Sequence, residues 1–482
     1  MLNINTKSYL AGNARFTQIG VFIGSVNILL LYPIVLEPGQ FGLVLVMFAL
    51  AHAGAQVSGM GVDKVTQRFF PFFRDPARKH HGYLFLAIAI PFSGFLIVCL
   101  AGWLLRVPVV GFYTDRNLIF GEYYSLMVLL LFFVLYFNIL KSCLNVISNA
   151  GLPDFLQNII LPLSQSAILL AYYFERIPFG IFMQSFVLIF GIQTLILFSY
   201  TGFIRQFSIL PDFSILSYKR LRSMAGFASY AMAGNVAALA PAYAVILLTG
   251  GLASLEDAAV LSVGYFLASL ITVPAGSFFE RTKSRFIHAL YQKNASNISA
   301  LLKKSSAEYL MAGGIIFICI GVSLDYLYQF LPDHYQEASN VFLFAGLAMM
   351  INLFSGLSSS IILTSKWHRF DLYASGFLLL ASTLATLLLV PRFGITGAAI
   401  AIAISILLYN AIYQIYTAFR FGMHPFSLGT LLILILLILA FIITWMIPPI
   451  PFWYIDMAVR LLAAVGIILI GNSLYKGYKP DE

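Results

Sequence analysis

Within one apolar run, Asn138, Lys141, Ser142, Asn145 and Asn149 recur at i, i+3, i+4, i+7 and i+11. On a helix of about 3.6 residues per turn that spacing draws a single polar stripe. Its chemistry is recognition: amides and hydroxyls exchange hydrogen bonds with polar ligands, and an ammonium attracts an anion. A second stripe joins His52, Gln56, Gly59 and Asp63. A third places Arg15, Gln18 and Ser25 on one helix face and Gly20, Gly24 and Asn27 on another. Each has a structural reading beside the functional one. Arg15 and Lys141 either snorkel to a membrane surface or point into a solvated cavity. Gly20, Gly24 and Asn27 suit close helix packing. His52 either titrates near neutral pH or is held by a neighbouring helix.

Bond-breaking chemistry has little to work with. The chain contains no HExxH, GxSxG or GxxxxGK pattern and no paired carboxylates within its apolar runs, which argues against an enzyme. Asp325 is the only acid well inside an expected span. Cys99, Cys143 and Cys319 have neither metal-site nor disulfide-framework spacing, and no motif calls for a metal or cofactor.

The elements that must carry these stripes follow from composition. Of 482 residues, 60% are apolar and 10% charged, whereas a soluble domain carries about 25% charged residues. The expectation is an all-α, polytopic membrane protein of 14 spans, since each span takes about 20 apolar residues. They are expected near 15–36, 41–61, 83–105, 124–148, 157–174, 179–203, 225–249, 258–279, 309–330, 338–364, 371–390, 396–418, 426–447 and 458–475. The segment Met1–Ala14 is polar and the first span is expected to be retained. With both termini cytoplasmic, 23 of the 28 basic residues fall on the inner side, leaving Arg106, Arg116, Arg176, Arg392 and Arg460 outside. The +9 charge is therefore read as a topology signal that meets anionic lipid, with no nucleic-acid partner. Longer basic loops are expected at 62–82, 204–224 and 280–308, and a short outer connection from Arg106 to Tyr123.

The chain also matches itself. Asn27 and Pro33 recur as Asn235 and Pro241, Gly61 as Gly276, Asn138 as Asn352, and Phe179-Gly180-Ile181 as Phe393-Gly394-Ile395. Two six-helix lobes of the same orientation are expected, 1–203 and 225–418, joined by an amphipathic linker at 204–224 and followed by a helix pair and tail at 419–482. In this register Lys141 is a charge present in one lobe only, because the other carries Asn352, Ser355 and Ser359.

The run Val390-Pro391-Arg392-Phe393-Gly394-Ile395-Thr396-Gly397-Ala398-Ala399-Ile400-Ala401 resembles the Pro-x-Phe/Tyr-Gly-Ile-x-Gly-Ala-Ala-x-Ala signature of polysaccharide exporters. These include the Wzx-type flippases of lipid-linked oligosaccharides, within the multidrug/oligosaccharidyl-lipid/polysaccharide superfamily. Outer Pro33, the basic loop after span 2, the two lobes and the extra helix pair extend the similarity over nearly the whole chain. The resemblance implies a V-shaped transporter of the bacterial cytoplasmic membrane with a cavity between lobes, alternately open to each side. Its cargo would be a polyprenyl-pyrophosphate-linked oligosaccharide of an O-antigen, capsule or exopolysaccharide. Partners would be that cargo, bilayer lipids and glycan polymerase or assembly proteins. Arg15, Arg68, Lys141 and Arg281 would supply cations for the pyrophosphate, and Gln18, Gln56, Asn138 and Asn235 sugar or gate contacts. Lipid II flipping, multidrug extrusion, and a membrane-embedded glycan polymerase or ligase remain alternatives. The last would be expected to carry a large outer loop, and extrusion proteins often carry an acid in span 1; this sequence has neither.

Overall fold

The computed structural model describes residues 16, 18–75, 77–114, 119–147, 151–204, 217–238, 243–275, 282, 285–286, 288–289, 292, 295–365, 367, 369–448 and 450–477. Among them there are helices and turns but no strand. Among the described residues, eleven helices are long and apolar enough to cross a membrane. The expected count of 14 is not confirmed on that measure, which covers the described residues alone. The two spans expected at 371–390 and 396–418 lie in the helical run Arg369–Phe421, which Gly394 breaks into two helices between them. The span expected at 225–249 contains residues 239–242, which lie outside the described residues between Tyr218–Ala238 and Val245–Leu252. The last expected span, 458–475, lies within the helix Trp453–Gly477.

The chain divides into two compact units, 1–259 and 260–482. The first begins with α1 (Gln18–Val35), α2 (Pro38–Ser58) and α3 (Val62–Phe69). Then come α4 (Tyr83–Leu104), α5 (Arg106–Thr114), α6 (Ile119–Val146), α7 (Gly151–Tyr173) and α8 (Phe179–Phe203). Helices α9 (Tyr218–Ala238) and α10 (Val245–Leu252) complete it, and the division falls within α11 (Leu255–Leu270). Pro38 opens α2 at a position where a missing N–H costs nothing, and Gln40 accepts from the Glu37 backbone N–H at 3.3 Å. Helix α6 packs on α2 and α8, burying Leu130, Val134, Ile139, Leu140 and Leu144. Two stretches expected as loops are partly helical: α3 occupies the start of 62–82, and α5 the outer connection after Arg106.

The second unit holds α12 (Ala295–Tyr328), α13 (Ala338–Phe354), α14 (Ser358–Thr364), α15 (Arg369–Phe421), α16 (Leu428–Met446) and α17 (Trp453–Gly477). Residues 295–308, expected in a loop, are the polar first turns of α12. Its 34 residues span about 50 Å, longer than a hydrocarbon core. Gly394 turns α15 at φ 57° and ψ −135°, a region reserved for glycine, and a Cβ on Gly397 would lie 2.3 Å from the Leu389 carbonyl oxygen. Ala398, Ala399 and Ala401 are fully buried. The signature run is thus a set of backbone and packing constraints.

Helices α16 and α17 pack on α12. Ile433, Leu437, Ala440 and Thr444 form the buried face of α16, and a Cβ on Gly314 would meet Leu437 Cδ1 at 2.4 Å. The opposite face exposes Leu431, Leu434, Ile435, Ile438, Leu439 and Ile442, as a lipid-facing surface does.

Candidate functional site

In the first unit, α2, α3 and α6 enclose a cavity of about 190 Å³ lined by Ala55, Gln56, Gly59, Asp63, Gln67, Leu135, Asn138, Ile139, Lys141, Ser142 and Asn145. Two polar stripes read from the sequence therefore face the same space. The turn after α2 makes this possible. Gly61 sits at φ 71°, and a Cβ there would lie 2.4 Å from the Ala228 carbonyl oxygen of α9. Glycine both permits the left-handed turn and lets α9 approach. Ser142 Oγ donates to the Asp63 carbonyl at 2.8 Å, fixing α3 on α6.

The charges at the cavity balance locally. Lys141 Nζ forms an ion pair with Asp154 at 2.9 Å and donates to Gln157 Oε1 at 2.6 Å, both on α7. The Lys141 and Asp154 side chains are 26% and 21% exposed, so water reaches the pair. Asp63 accepts from Asn235 Nδ2 at 3.1 Å, and Lys64 Nζ lies 4.0 Å from its other oxygen. The free capacity of the lining resides in the Gln56, Gln67, Asn138 and Asn145 amides, which match neutral hydroxyl-bearing ligands, while Lys141 can serve an anion by exchanging it for Asp154.

Of the residues expected to form a site, Gln56, Asn138 and Lys141 line the cavity, and Asn235 reaches its rim through Asp63. Arg68 does not: it is exposed, and its guanidinium stacks over Phe227 at 4.4 Å, while its neighbour Gln67 faces the cavity. Gln18 is exposed on α1 and does not line the cavity. Arg15 and Arg281 lie outside the described residues, as do Pro241 and Gly276. Asp154 and Gln157 were missed. Their signal was available: a carboxylate and an amide three residues apart at the start of the span after the one carrying Lys141.

The packing reading holds for part of α1. Asn27 is buried in a π-turn, Asn27–Leu31; its Nδ2 donates to the Pro162 carbonyl at 2.8 Å and its Oδ1 accepts from Ser166 Oγ at 2.6 Å. A Cβ on Gly20 would strike the Asn158 carbonyl oxygen at 2.1 Å, whereas one on Gly24 would meet nothing within 4 Å. His52 packs its ring against Phe48 and Tyr243, with centroids 4.1 and 6.0 Å away.

Asp325 is exposed. Among the described residues of the second unit the buried acid is Asp456, which accepts from Arg460 Nε at 3.0 Å and from the Tyr326 hydroxyl. Arg460 also donates to the Thr444 and Ile447 carbonyls at 3.1 and 2.8 Å, satisfying the end of α16.

No family model matches the chain, and no curated protein matches it. Solved structures do. The lipid II flippase MurJ in an inward closed conformation is similar over 97% of this chain and 98% of its own, with TM-score 0.72 and 11% identity. An inward-facing multidrug resistance MATE transporter of the MOP superfamily is similar over 84% of this chain and 95% of its own, with TM-score 0.58 and 12% identity. A mutant form of the Vibrio cholerae MATE transporter VcmN is similar over 87% of this chain and 99% of its own, with TM-score 0.51 and 13% identity. At such identities the likeness is one of fold: the chain has the fold of the membrane flippases and transporters of the MOP superfamily.

Proposed function

We propose that the chain is a flippase that carries a polyprenyl-pyrophosphate-linked oligosaccharide from the inner to the outer leaflet of a bacterial cytoplasmic membrane by alternating access. The observation that carries this reading is the cavity of the first unit, where four side-chain amides surround a lysine held by an exchangeable carboxylate. Sugar hydroxyls would take the amides. An anionic group would compete with Asp154 for Lys141, a contact released again when the carboxylate returns. Charge balance without cargo spares the empty cavity an uncompensated ammonium.

Flipping of lipid II is the second reading. It is favoured by the likeness to MurJ, which runs through the final helix pair and over nearly all of both chains. Cells lacking the protein distinguish the two. Lipid-linked glycan units should accumulate on the inner leaflet with peptidoglycan synthesis intact. Accumulation of lipid II instead would favour the second reading. A polymerase or ligase would leave single units already exposed outside.

A further inference from the structure

We infer that a second cavity, at the polar end of α12, is a binding site for the phosphate of an anionic phospholipid headgroup. It measures about 300 Å³ and is lined by Arg285, His288 and Gln292 on one wall and by Asn297, Leu301 and Lys304 on the other. Arg285, His288 and Gln292 are spaced i, i+3 and i+7, so one helical face presents them together. The neighbouring positions Phe286 and Ala289 are buried in a cluster with Ile298, Leu302, Leu357, Ile361 and Met423. The polar wall is therefore seated on a packed apolar floor. Asn297, Leu301 and Lys304, at i, i+4 and i+7, likewise share one face of α12.

The chemistry is that of a phosphate ester. Two cations and a histidine face the cavity, with the Gln292 amide able to donate alongside them. Among the described residues, Glu308 lies 3.9 Å from Lys304 Nζ, in a pair whose side chains are 36% and 56% exposed, so water screens it. Position selects the source of the phosphate. Lys304 lies one to two turns before the apolar stretch of α12 that begins near Met311, which is headgroup depth, and Ala300 and Leu301 offer apolar surface to the glycerol and first acyl carbons. A soluble phosphate would use the cations and leave that apolar surface bare.

The full chain, purified and placed in nanodiscs containing phosphatidylglycerol among phosphatidylcholine, tests this by native mass spectrometry of the lipid retained on release. The wild-type protein should retain phosphatidylglycerol preferentially. Arg285→Ala with Lys304→Ala should reduce retention about five-fold per charge removed, while Arg285→Lys with Lys304→Arg keeps it. Should the alanine pair fail to purify, Arg285→Gln with Lys304→Gln carries the same expectation. Unchanged retention in the neutral pair overturns the site. An equal loss in Lys219→Ala with Arg222→Ala, exposed cations elsewhere, overturns it in favour of diffuse attraction. Displacement of the lipid by millimolar inorganic phosphate overturns the lipid as its ligand and assigns the cavity to a soluble anion.

Discussion

Two ion pairs of this protein join the same kinds of groups and do different work. Arg460 and Asp456 are 15% and 4% exposed at the side chain, and each guanidinium nitrogen donates to a carboxylate or a helix-terminal carbonyl. Lys141 and Asp154 are 26% and 21% exposed, border a cavity, and hold each other through one ammonium that can turn to another acceptor. A guanidinium locked in a planar fork is a fastener; an ammonium on a flexible stem beside water is an exchangeable contact. Solvation and spare hydrogen-bonding capacity distinguish a structural pair from a candidate binding pair.

The comparison is sharpest where the fastener is removed. Arg460→Ala would leave Asp456 buried without its cation and two carbonyls of α16 unmet. A loss of about 3–5 kcal/mol is expected, read as lower abundance and a lower unfolding temperature in detergent. Arg460→Ala with Asp456→Ala should recover part of that loss. If Arg460→Ala leaves stability unchanged, the cluster is not a fastener and the contrast fails.

A smaller structural effect is expected at the turn that forms the cavity. Gly61→Ala would place a Cβ against the α9 backbone and hold alanine at φ 71°, costing about 1–2 kcal/mol from the backbone conformation alone. Unfolding temperature should fall, and export should fall with it because α3 carries Asp63 and Gln67 to the cavity. Unchanged values for both would show that α9 yields without disturbing α3.

How much of this was legible in sequence depends on whether the signal was periodic. The stripes of Gln56 and Asn138 showed which faces belong together, because helical spacing fixes a face without knowledge of the fold. The partners of Lys141 were less visible: Asp154 and Gln157 lie across a helix hairpin, and Arg68 was separated from the cavity by a single residue of register on α3. Gly61 could be marked as a repeat position, but its approach to Ala228 is a tertiary fact. The repeat register pairs Lys141 with Ser355, and Ser355 is buried, donating to Asn410 Oδ1 at 2.6 Å. In the register expected from the sequence, Lys141 is thus matched by a serine in a closed hydrogen bond.

At Lys141 the expectation reverses: little change in stability and a large change in function. A partly exposed pair contributes about 1 kcal/mol or less, so Lys141→Ala should keep its abundance and unfolding temperature. Export, measured as lipid-linked glycan reaching the outer leaflet, should be lost, and Lys141→Arg should retain some. Normal export by both variants would leave Lys141 a surface-seeking end residue. Loss of abundance would make it a second Arg460.

The smallest expected effect discriminates most finely. Asp154→Asn keeps the shape of the partner and an acceptor oxygen for Lys141 while removing the opposing charge. If the pair is exchangeable, the freed ammonium should hold anionic cargo more strongly. A gain of about 1 kcal/mol is the scale for unit charges some 4 Å apart in a water-like setting, or about five-fold tighter retention of a polyprenyl-pyrophosphate glycan by the purified protein. Turnover should fall, because the carboxylate that returns to displace the cargo is gone. Tighter retention with slower export is a signature that a fastener cannot produce: neutralising one partner of a structural pair lowers stability and leaves cargo affinity untouched. If Asp154→Asn destabilises the protein and retention stays constant, the two ion pairs are of one kind, and the cavity recognises its ligand through amides alone.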